Sequence, residues 1–363
     1  MQFADLLWLV AGLLGLFGFV AVWALVAVYA ERKISAFIQD RLGPMEAGPY
    51  GTLQTLADVL KLLQKELIVP AAADKPLFGL APLLIFASVF AGFAVVPFLA
   101  EGGAPYLNIG LLFLLAVVSV EVVGMLMAGW GSNNKYALLG AVRAVSQIVS
   151  YEVPAGLSLL AVVLMLGTLN LHELVAAQGV QEASITLWGL WEVNQLGGFL
   201  TWAVVRYPHL LVAFVIFYIS ALAESNRAPF DIPEAESELI AGFHTEYSGM
   251  AFALIMLAEY GNLMLLSLLG VILFLGGWHS PLPNLGDALP LFNWTTGLLW
   301  APFWLLLKSL LVVSLTMWIR WTYPRLRADQ LMRLCWKWLT PIGLGLLFVS
   351  ALWRLAELGA LHL

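Results

Sequence analysis

The sequence predicts an all-α polytopic membrane protein with about eight transmembrane helices. Of its 363 residues, 61% are hydrophobic and only 11% are charged, and the mean hydropathy is +0.90, far outside the range of soluble proteins. The apolar residues occur in long runs, each close to the ~20 residues that cross the hydrocarbon core as a helix. The short alternating segments of a transmembrane β-barrel do not occur.

We expect one membrane domain covering residues 1–363. Its spans are predicted at about residues 5–30, 78–99, 108–130, 144–168, 201–223, 248–275, 301–322 and 340–358. The first run lacks the basic region and cleavage site of a signal peptide and is therefore counted as a span. Lys and Arg concentrate in the connections that follow odd-numbered runs. By the positive-inside rule these connections face the cytoplasm, and both termini lie outside.

Several classes of function are excluded by composition. The net charge of −6 and the absence of a basic stripe argue against nucleic-acid binding. The single cysteine, Cys335, excludes an internal disulfide and a four-thiolate iron–sulfur cluster. The five histidines do not pair on facing apolar runs, and there is no phosphate-binding or dinucleotide motif. We therefore expect no covalent or metal cofactor on this chain.

The first cytoplasmic connection contains a predicted amphipathic helix. Leucines recur every three or four residues, opposite Lys61, Lys65 and Glu66, at Leu53, Leu56, Leu60, Leu63 and Leu67. Such a helix lies in the membrane interface, either as an anchor or as part of an entrance for a lipid-soluble substrate. The ERK sequence at 31–33 before it is typical of a positive-inside anchor, and Gly43-Pro44 is expected to end any helix that continues from the first span.

Charged residues inside the apolar runs indicate function. Glu121, Glu152, Glu259 and Lys308 lie within predicted spans, where a charged side chain costs roughly 2.5–3.5 kcal/mol at the helix centre. Such residues usually face a polar interior and mark ion or proton pathways. The alternative is a structural hydrogen bond between helices by a protonated glutamate.

The connection at 224–248 concentrates acids between two long apolar runs. Its charges are Glu224, Asp231, Glu234, Glu236, Glu238 and Glu246, with Arg227 as the single Lys or Arg. We expect Arg227 to pair with Glu224, Pro229 and Pro233 to keep the chain extended, and a short helix to begin near Glu234. A capped, solvated loop is the alternative.

The remaining connections are interpreted as structural. Ser or Asn near residue 134 is expected to cap the fourth span, and Asn170 is expected to cap a short surface helix with Glu173 three residues later. The Pro- and Gly-rich loop at 276–300 has no regular pattern, and residues 178–200 are assigned no role.

Several long motifs together resemble one family. They are ERKISAFIQDRLGP (31–44), AGPYGTLQTLADVLKLLQKE (47–66), SNNKYALLGAVRAVSQIVSYE (132–152), AESNRAPFDIPEAESELIAGFHTEYSG (223–249), MLAEY (256–260) and IRWTYPRLRADQLM (319–332). This series resembles the H-type membrane subunits, which stand at the quinone site of respiratory complex I, NADH:quinone oxidoreductase. Glu121 lies outside these motifs.

The resemblance implies a subunit without a redox centre in a proton-translocating enzyme of the bacterial inner membrane, with its functional loops facing the cytoplasm. Quinone would be the substrate. The partners would be the soluble quinone-site and iron–sulfur subunits, neighbouring small and antiporter-like membrane subunits and the lipid bilayer. The implied quinone tunnel comprises Arg32, Arg41, Asp58, Lys61, Arg227, Glu234 and Arg320. The implied proton relay comprises Glu152, Glu224, Asp231, Glu236, Glu238 and Glu259, supported by Arg143 and Tyr151.

Two other functions remain open at this point. Intramembrane glutamates and Lys308 also permit a stand-alone cation or proton antiporter, which would exchange ions when purified alone. An anchor subunit of a related membrane hydrogenase or formate-oxidising complex shares the same ancestry but need not use quinone. Co-purifying subunits and quinone-dependent NADH oxidation would discriminate between these hypotheses.

Overall fold

A computed structural model describes residues 3–99, 107–179, 185–187, 191–193, 198–233, 236–282 and 300–358. This part of the chain contains seven helices that are long and apolar enough to cross a membrane. An eighth apolar helix, Pro208–Glu224, has 17 residues, which is about the shortest length that spans a bilayer. The all-α polytopic fold is confirmed.

The helices are α1 Phe3–Ile38, α2 Gln54–Gln64, α3 Lys75–Phe93, α4 Gly110–Val118, α5 Val120–Gly131, α6 Lys135–Leu166, α7 Leu171–Ala176, α8 Ala203–Arg206, α9 Pro208–Glu224, α10 Glu236–Leu239, α11 Gly249–Phe274, α12 Ala301–Thr322, α13 Ala328–Arg333 and α14 Thr340–Glu357. A π-helical segment, Leu334–Leu339, joins α13 to α14. A short antiparallel hairpin pairs β1 (Ile185–Leu187) with β2 (Trp191–Val193).

Two helices extend beyond their apolar runs at the end where the charged motifs lie. Helix α1 continues to Ile38 and therefore carries Glu31 and Arg32, while α6 begins at Lys135. The Asn134 side chain accepts a hydrogen bond from the Tyr136 amide at 2.9 Å, which confirms the predicted cap of α6. The predicted Asn170 cap of α7 is also confirmed.

The third span is interrupted at Ser119. Helix α4 ends at Val118 and α5 begins at Val120, while the Ser119 hydroxyl donates to the Leu115 carbonyl at 2.9 Å. A hydroxyl that bonds back to the preceding turn often bends a helix. The break places Glu121 in the first turn of α5.

Helix α11 lies at the centre of the bundle and packs against α1, α3, α9 and α12. Helix α6 packs against α5, α9 and α14, and also against the short turn Gly242–His244. At that turn the two backbones touch, because a Cβ atom on Gly140 would lie 2.7 Å from the Gly242 Cα. The connection before α11 is thereby held against α6.

Helix α2 confirms the predicted amphipathic helix. Its leucine stripe points away from the rest of the chain, with Leu56 47% and Leu60 52% exposed, while Thr55 on another face is buried. An outward apolar stripe beside charged side chains is the arrangement expected at a membrane interface.

Candidate functional site: a buried charged cluster

The connection after α9 folds into a buried turn. The Phe230 amide donates to the Arg227 carbonyl at 2.8 Å, and the Arg227 amide donates to the Leu222 carbonyl at 3.3 Å. Ser225, Asn226 and Arg227 are each at most 4% exposed. The predicted extended connection is therefore wrong at these residues, because the backbone turns to satisfy its polar groups inside the protein. A solvated loop is equally excluded for this segment.

Arg227 bridges two acids on different helices. Its Nη1 lies 3.2 Å from Glu31 Oε2, and its Nη2 lies 3.0 Å from Glu259 Oε1. The guanidinium also stacks over the Tyr260 ring, 4.4 Å from the ring centroid. Within the described residues Arg227 thus pairs with Glu31 and Glu259 and not with Glu224 as predicted. Tertiary packing supplies these partners, whereas the prediction used the nearest acid in sequence.

Glu31 is the point at which four elements meet. The Tyr260 hydroxyl donates to Glu31 Oε2 at 2.8 Å, and the Arg320 guanidinium donates to Glu31 Oε1. Arg227 from the loop completes the set, so α1, α11, α12 and the α9–α10 connection converge on one carboxylate that is 6% exposed. Sequence reasoning missed Glu31 because it stands in an ordinary basic flank, and missed Tyr260 although it follows Glu259 directly.

A series of carboxylates continues from this cluster across the bundle. Asp231 interacts electrostatically with Glu259, Glu259 and Glu224 both interact with Glu121, and Glu224 interacts with Glu152. The Asn262 amide donates to Glu121 at 3.1 Å. Four of these acids come from α5, α6, α9 and α11, and Asp231 comes from the α9–α10 connection. Each lies near another although they are distant in sequence.

The series has two electrostatically different halves. Glu31 and Glu259 share Arg227, and Glu31 also binds Arg320. In the part of the chain that the structure describes, no ion pair involves Glu121, Glu152 or Glu224. A charge-balanced cluster therefore adjoins a group of acids without a cationic partner among these residues. Interacting acids of this kind titrate as coupled sites.

Other predicted tunnel residues form a separate group at the end of α1. The Arg32 guanidinium donates to Asp58 Oδ2 at 2.7 Å, which ties α1 to α2, and Lys61 lies 4.0 Å from the same carboxylate. Arg41 donates to Gln39 at 2.7 Å within its own segment. The structure thus brings Arg32, Asp58 and Lys61 together, and it places Arg41 in the loop that follows α1, where its side chain contacts Gln39 and Ser35.

Two of the remaining loop acids pair with arginines. Asp231 pairs with Arg325 at 3.2 Å. Glu238, whose side chain is 60% exposed, accepts a hydrogen bond from Arg143 at 2.6 Å, and this guanidinium holds the pKa of that carboxyl below its usual value. Glu236 is the first residue of α10, and Glu234 lies outside the described residues. Glu238 attaches the loop to α6.

One stripe of α6 contacts the loop at four-residue intervals, through Arg143, Gln147 and Tyr151. The buried Tyr151 packs its ring against Phe230, with 5.5 Å between centroids, and its hydroxyl donates to the Leu331 carbonyl at 3.0 Å. Tyr151 therefore contacts the loop through its ring. Gln147 was missed because a neutral amide carries no charge signal, although its spacing from Arg143 and Tyr151 places it on the same face.

Lys308 lies apart from these acids, beyond the other end of α11. Its ammonium donates to the carbonyls of Leu275 and His279 at 2.7 and 3.0 Å and lies over the Trp202 ring. These carbonyls follow the C-terminus of α11, where a cation is favourable. This intramembrane lysine has a structural explanation. Among the described residues, no three His, Cys, Asp or Glu side chains form a metal-binding group.

Comparison with known proteins identifies the family of this chain. A family model described as NADH dehydrogenase matches residues 11–351. The chain is 51% identical over 350 residues to an H subunit of the NADH-quinone oxidoreductase of Cytophaga hutchinsonii, and the match covers 92% of this chain and 96% of that protein. It is 53% identical over 336 residues to the corresponding H subunit of Chlorobaculum tepidum (92% and 89% covered). It is 46% identical over 343 residues to that of Polaromonas naphthalenivorans (94% and 88% covered). The chain belongs to the NADH dehydrogenase family.

Proposed function

We propose that this chain is the H-type membrane subunit of an NADH:quinone oxidoreductase in a bacterial inner membrane. In this proposal it has no redox centre of its own, forms part of the quinone tunnel, and couples quinone reduction to proton movement through buried carboxylates. The names of its relatives support the assignment of the chain to this enzyme. The observation that supports the coupling role is the Glu31–Arg227–Glu259 bridge, which joins the proposed tunnel residues to the series of buried carboxylates.

The cost of the buried charges supports a functional role. A buried ion pair is weak evidence for stability, because apolar residues of similar volume often stabilise a protein as well or better. Ionisable residues inside membranes are rare and usually mark ion or proton pathways. A cluster of two acids and two guanidiniums, adjoined by three further acids, is therefore better explained by charge movement than by folding.

The bridge provides a physical route for coupling. Arg227 divides its guanidinium between Glu31 and Glu259, so any change in the charge of one acid alters the field at the other. In our proposal, proton uptake on the quinone side weakens the attraction of Glu31 for Arg227. The ion pair between Arg227 and Glu259 then becomes stronger. The neighbouring acids Glu121, Glu224 and Glu152 pass this change across the bundle.

The rest of the predicted site keeps, in this proposal, the roles that the sequence resemblance implies. Arg32, Arg41, Asp58, Lys61, Arg320 and Glu234 are proposed to line the tunnel with Arg227. Asp231, Glu236 and Glu238 are proposed to begin the relay on the cytoplasmic side, with Arg143 and Tyr151 holding their loop against α6. The proposed partners are quinone, the soluble quinone-site and iron–sulfur subunits, the neighbouring membrane subunits and lipid.

The test places Glu259→Gln and Glu224→Gln separately in the assembled complex. NADH-driven quinone reduction and proton pumping in proteoliposomes should fall about tenfold or more, as expected for loss of a proton-transferring group. Glu357→Gln is the matched control, because Glu357 pairs with Arg354 at the other end of the bundle. Wild-type rates for both site variants would refute the relay.

The same preparation tests the alternative functions. Purification of the chain alone with ion exchange in liposomes would favour an antiporter. Co-purification with hydrogenase or formate-oxidising subunits, without quinone-dependent NADH oxidation, would favour an anchor subunit.

A further inference from the structure

The strongest unassigned feature is the amide of Gln147 on α6. The side chain is 1% exposed. Its Nε2 lies 2.8 Å from the Ala223 carbonyl, 2.7 Å from the Phe230 carbonyl and 3.3 Å from Asn226 Oδ1. Its Oε1 has no hydrogen-bond partner among the described residues. The amide therefore directs its whole donor capacity to the α9–α10 connection.

The three contacts of Gln147 share one property. Ala223 immediately precedes Glu224, Asn226 immediately precedes Arg227, and Phe230 immediately precedes Asp231. The amide thus binds the peptide units that lead into Glu224 and Asp231, and the side chain of the residue that precedes Arg227. A peptide unit is nearly rigid, so holding these positions restricts where the next Cα atoms lie.

We infer that Gln147 is a positioning residue that sets the relative placement of Glu224, Arg227 and Asp231. This inference rests on the proposed function and adds to it the residue that fixes the geometry of the relay. Gln147 also joins the loop to the helix that carries Glu152, five residues further along α6. Gln147 therefore contributes, beside Arg143 and Tyr151, to the distances between the acid of α6, the acid of α9 and the charged residues of the connection.

A positioning residue has measurable effects that an ordinary buried hydrogen bond does not have. Any buried glutamine contributes to stability, because its partners would otherwise lose their hydrogen bonds. A positioning residue also changes the chemistry of the groups that it places. Misplacement of a reacting group by ~1 Å can cost up to 10²-fold in rate.

The chain offers a matched control in Gln178. This side chain is also 1% exposed, and its amide makes four hydrogen bonds, to the carbonyls of Leu174 and Ile272 and from the amides of Ala203 and Gly276. None of these partners adjoins an acid of the proposed relay. Gln178→Met removes at least as many hydrogen bonds as Gln147→Met but leaves the charged residues in place.

The experiment compares Gln147→Met, Gln147→Glu and Gln178→Met in the assembled complex in proteoliposomes. The measurements are NADH-driven quinone reduction and proton pumping per assembled complex, each as a function of pH. For Gln147→Met we expect turnover to fall about tenfold and the pH profile to shift by about half a unit or more. For Gln178→Met we expect less assembled complex but an unchanged pH profile.

Gln147→Glu provides the rescue. A protonated glutamic acid has the same shape and still donates one hydrogen bond, whereas the ionised form donates none. The variant should therefore recover part of its turnover at acidic pH and lose it at alkaline pH. If Gln147→Met does not assemble, this pH dependence decides the question alone.

Each outcome separates the inference from the proposed function. A wild-type pH profile and near wild-type turnover in Gln147→Met would overturn the inference, as would an equal shift in Gln178→Met or a Gln147→Glu profile without rescue. The proposed function depends instead on Glu224→Gln and Glu259→Gln in the same preparation. If those variants are impaired while Gln147→Met is not, only the positioning role fails.

Discussion

Replacing Arg227 by glutamine should leave a buried acid without its cationic partner. Arg227 is 4% exposed and is the cation paired with Glu259 in the described part of the chain, whereas Glu31 keeps Arg320 when Arg227 is removed. Glutamine still donates a hydrogen bond but carries no charge. The main consequence of Arg227→Gln is therefore an uncompensated Glu259.

The size of the effect follows from burial. Removing one partner of a buried ion pair costs about 3–5 kcal/mol, since the remaining charge stays away from water. An exposed pair contributes only about 0.2–1 kcal/mol. Arg354→Gln, which removes the pair with Glu357 at a more exposed site, is the matched control. Arg227→Lys should be intermediate, because a compact ammonium cannot bridge both acids as a planar guanidinium does.

Hydrogen exchange on the assembled complex measures this prediction directly. The Phe230 amide, which donates to the Arg227 carbonyl at 2.8 Å, reports opening of the turn. Because 1.4 kcal/mol corresponds to a factor of ten, the cost of about 3–5 kcal/mol means that Arg227→Gln should accelerate its exchange by about 10²- to 4 × 10³-fold. Arg354→Gln should leave exchange at Phe230 unchanged.

The double variant Arg227→Gln with Glu259→Gln makes the test specific. It removes the unpaired Glu259 carboxylate together with the cation, so the turn should recover most of its protection from hydrogen exchange. If the single variant exchanged like the Arg354→Gln control, or if the double variant were no better protected than the single one, the unpaired Glu259 carboxylate would not be the cause.

Three further predictions follow from the packing and charge around the site. Gly140→Ala should destabilise the assembled subunit by about 1–3 kcal/mol, because its Cβ would lie 2.7 Å from the Gly242 Cα. A thermal melt measures this loss, and Gly156→Ala is the control, because nothing lies within 4 Å of a Cβ at that position. Burial lowers the pKa of His244 to about 4. The unfolded chain therefore binds the proton first, and the segment should lose about 3 kcal/mol of stability as the pH falls from 6.5 towards 4, at 1.36 kcal/mol per unit. Hydrogen exchange of residues 242–249 measures this loss, and His244→Phe should abolish the pH dependence. Arg143 lowers the pKa of Glu238, so the ion pair between these two side chains should persist at neutral pH. It should weaken as the pH falls through that lowered pKa, and also as salt is added. Hydrogen exchange of the α10 amides measures both effects.

The acids of the site were predictable from sequence where they were costly. Glu121, Glu152 and Glu259 interrupt apolar runs, and Arg227 is the only Lys or Arg in an acidic connection. A charge in lipid carries a large free-energy cost, so its presence is a signal in a single sequence. Glu31 and Gln147 gave no such signal, because one lies in a charged flank and the other is neutral.

The partners of these residues were not predictable. Arg227 was expected to pair with Glu224, three residues away, but it binds Glu31 and Glu259, which are 196 and 32 positions away along the chain. Pro229 and Pro233 were expected to keep the connection extended. Its backbone instead closes on itself and on Gln147 of α6. Both errors came from treating the connection as a local segment.

The sequence by itself determined the membrane fold, the amphipathic helix and the presence of buried acids. Lipid imposes these features, since apolar length, backbone satisfaction and the cost of charge can all be counted along a chain. Only the tertiary structure decided that Arg227 and Arg320 meet at Glu31, that the acids of four helices form one series, and that Gln147 binds the loop beside them. Such contacts depend on which helix faces pack together, and that depends on shape complementarity across the whole bundle.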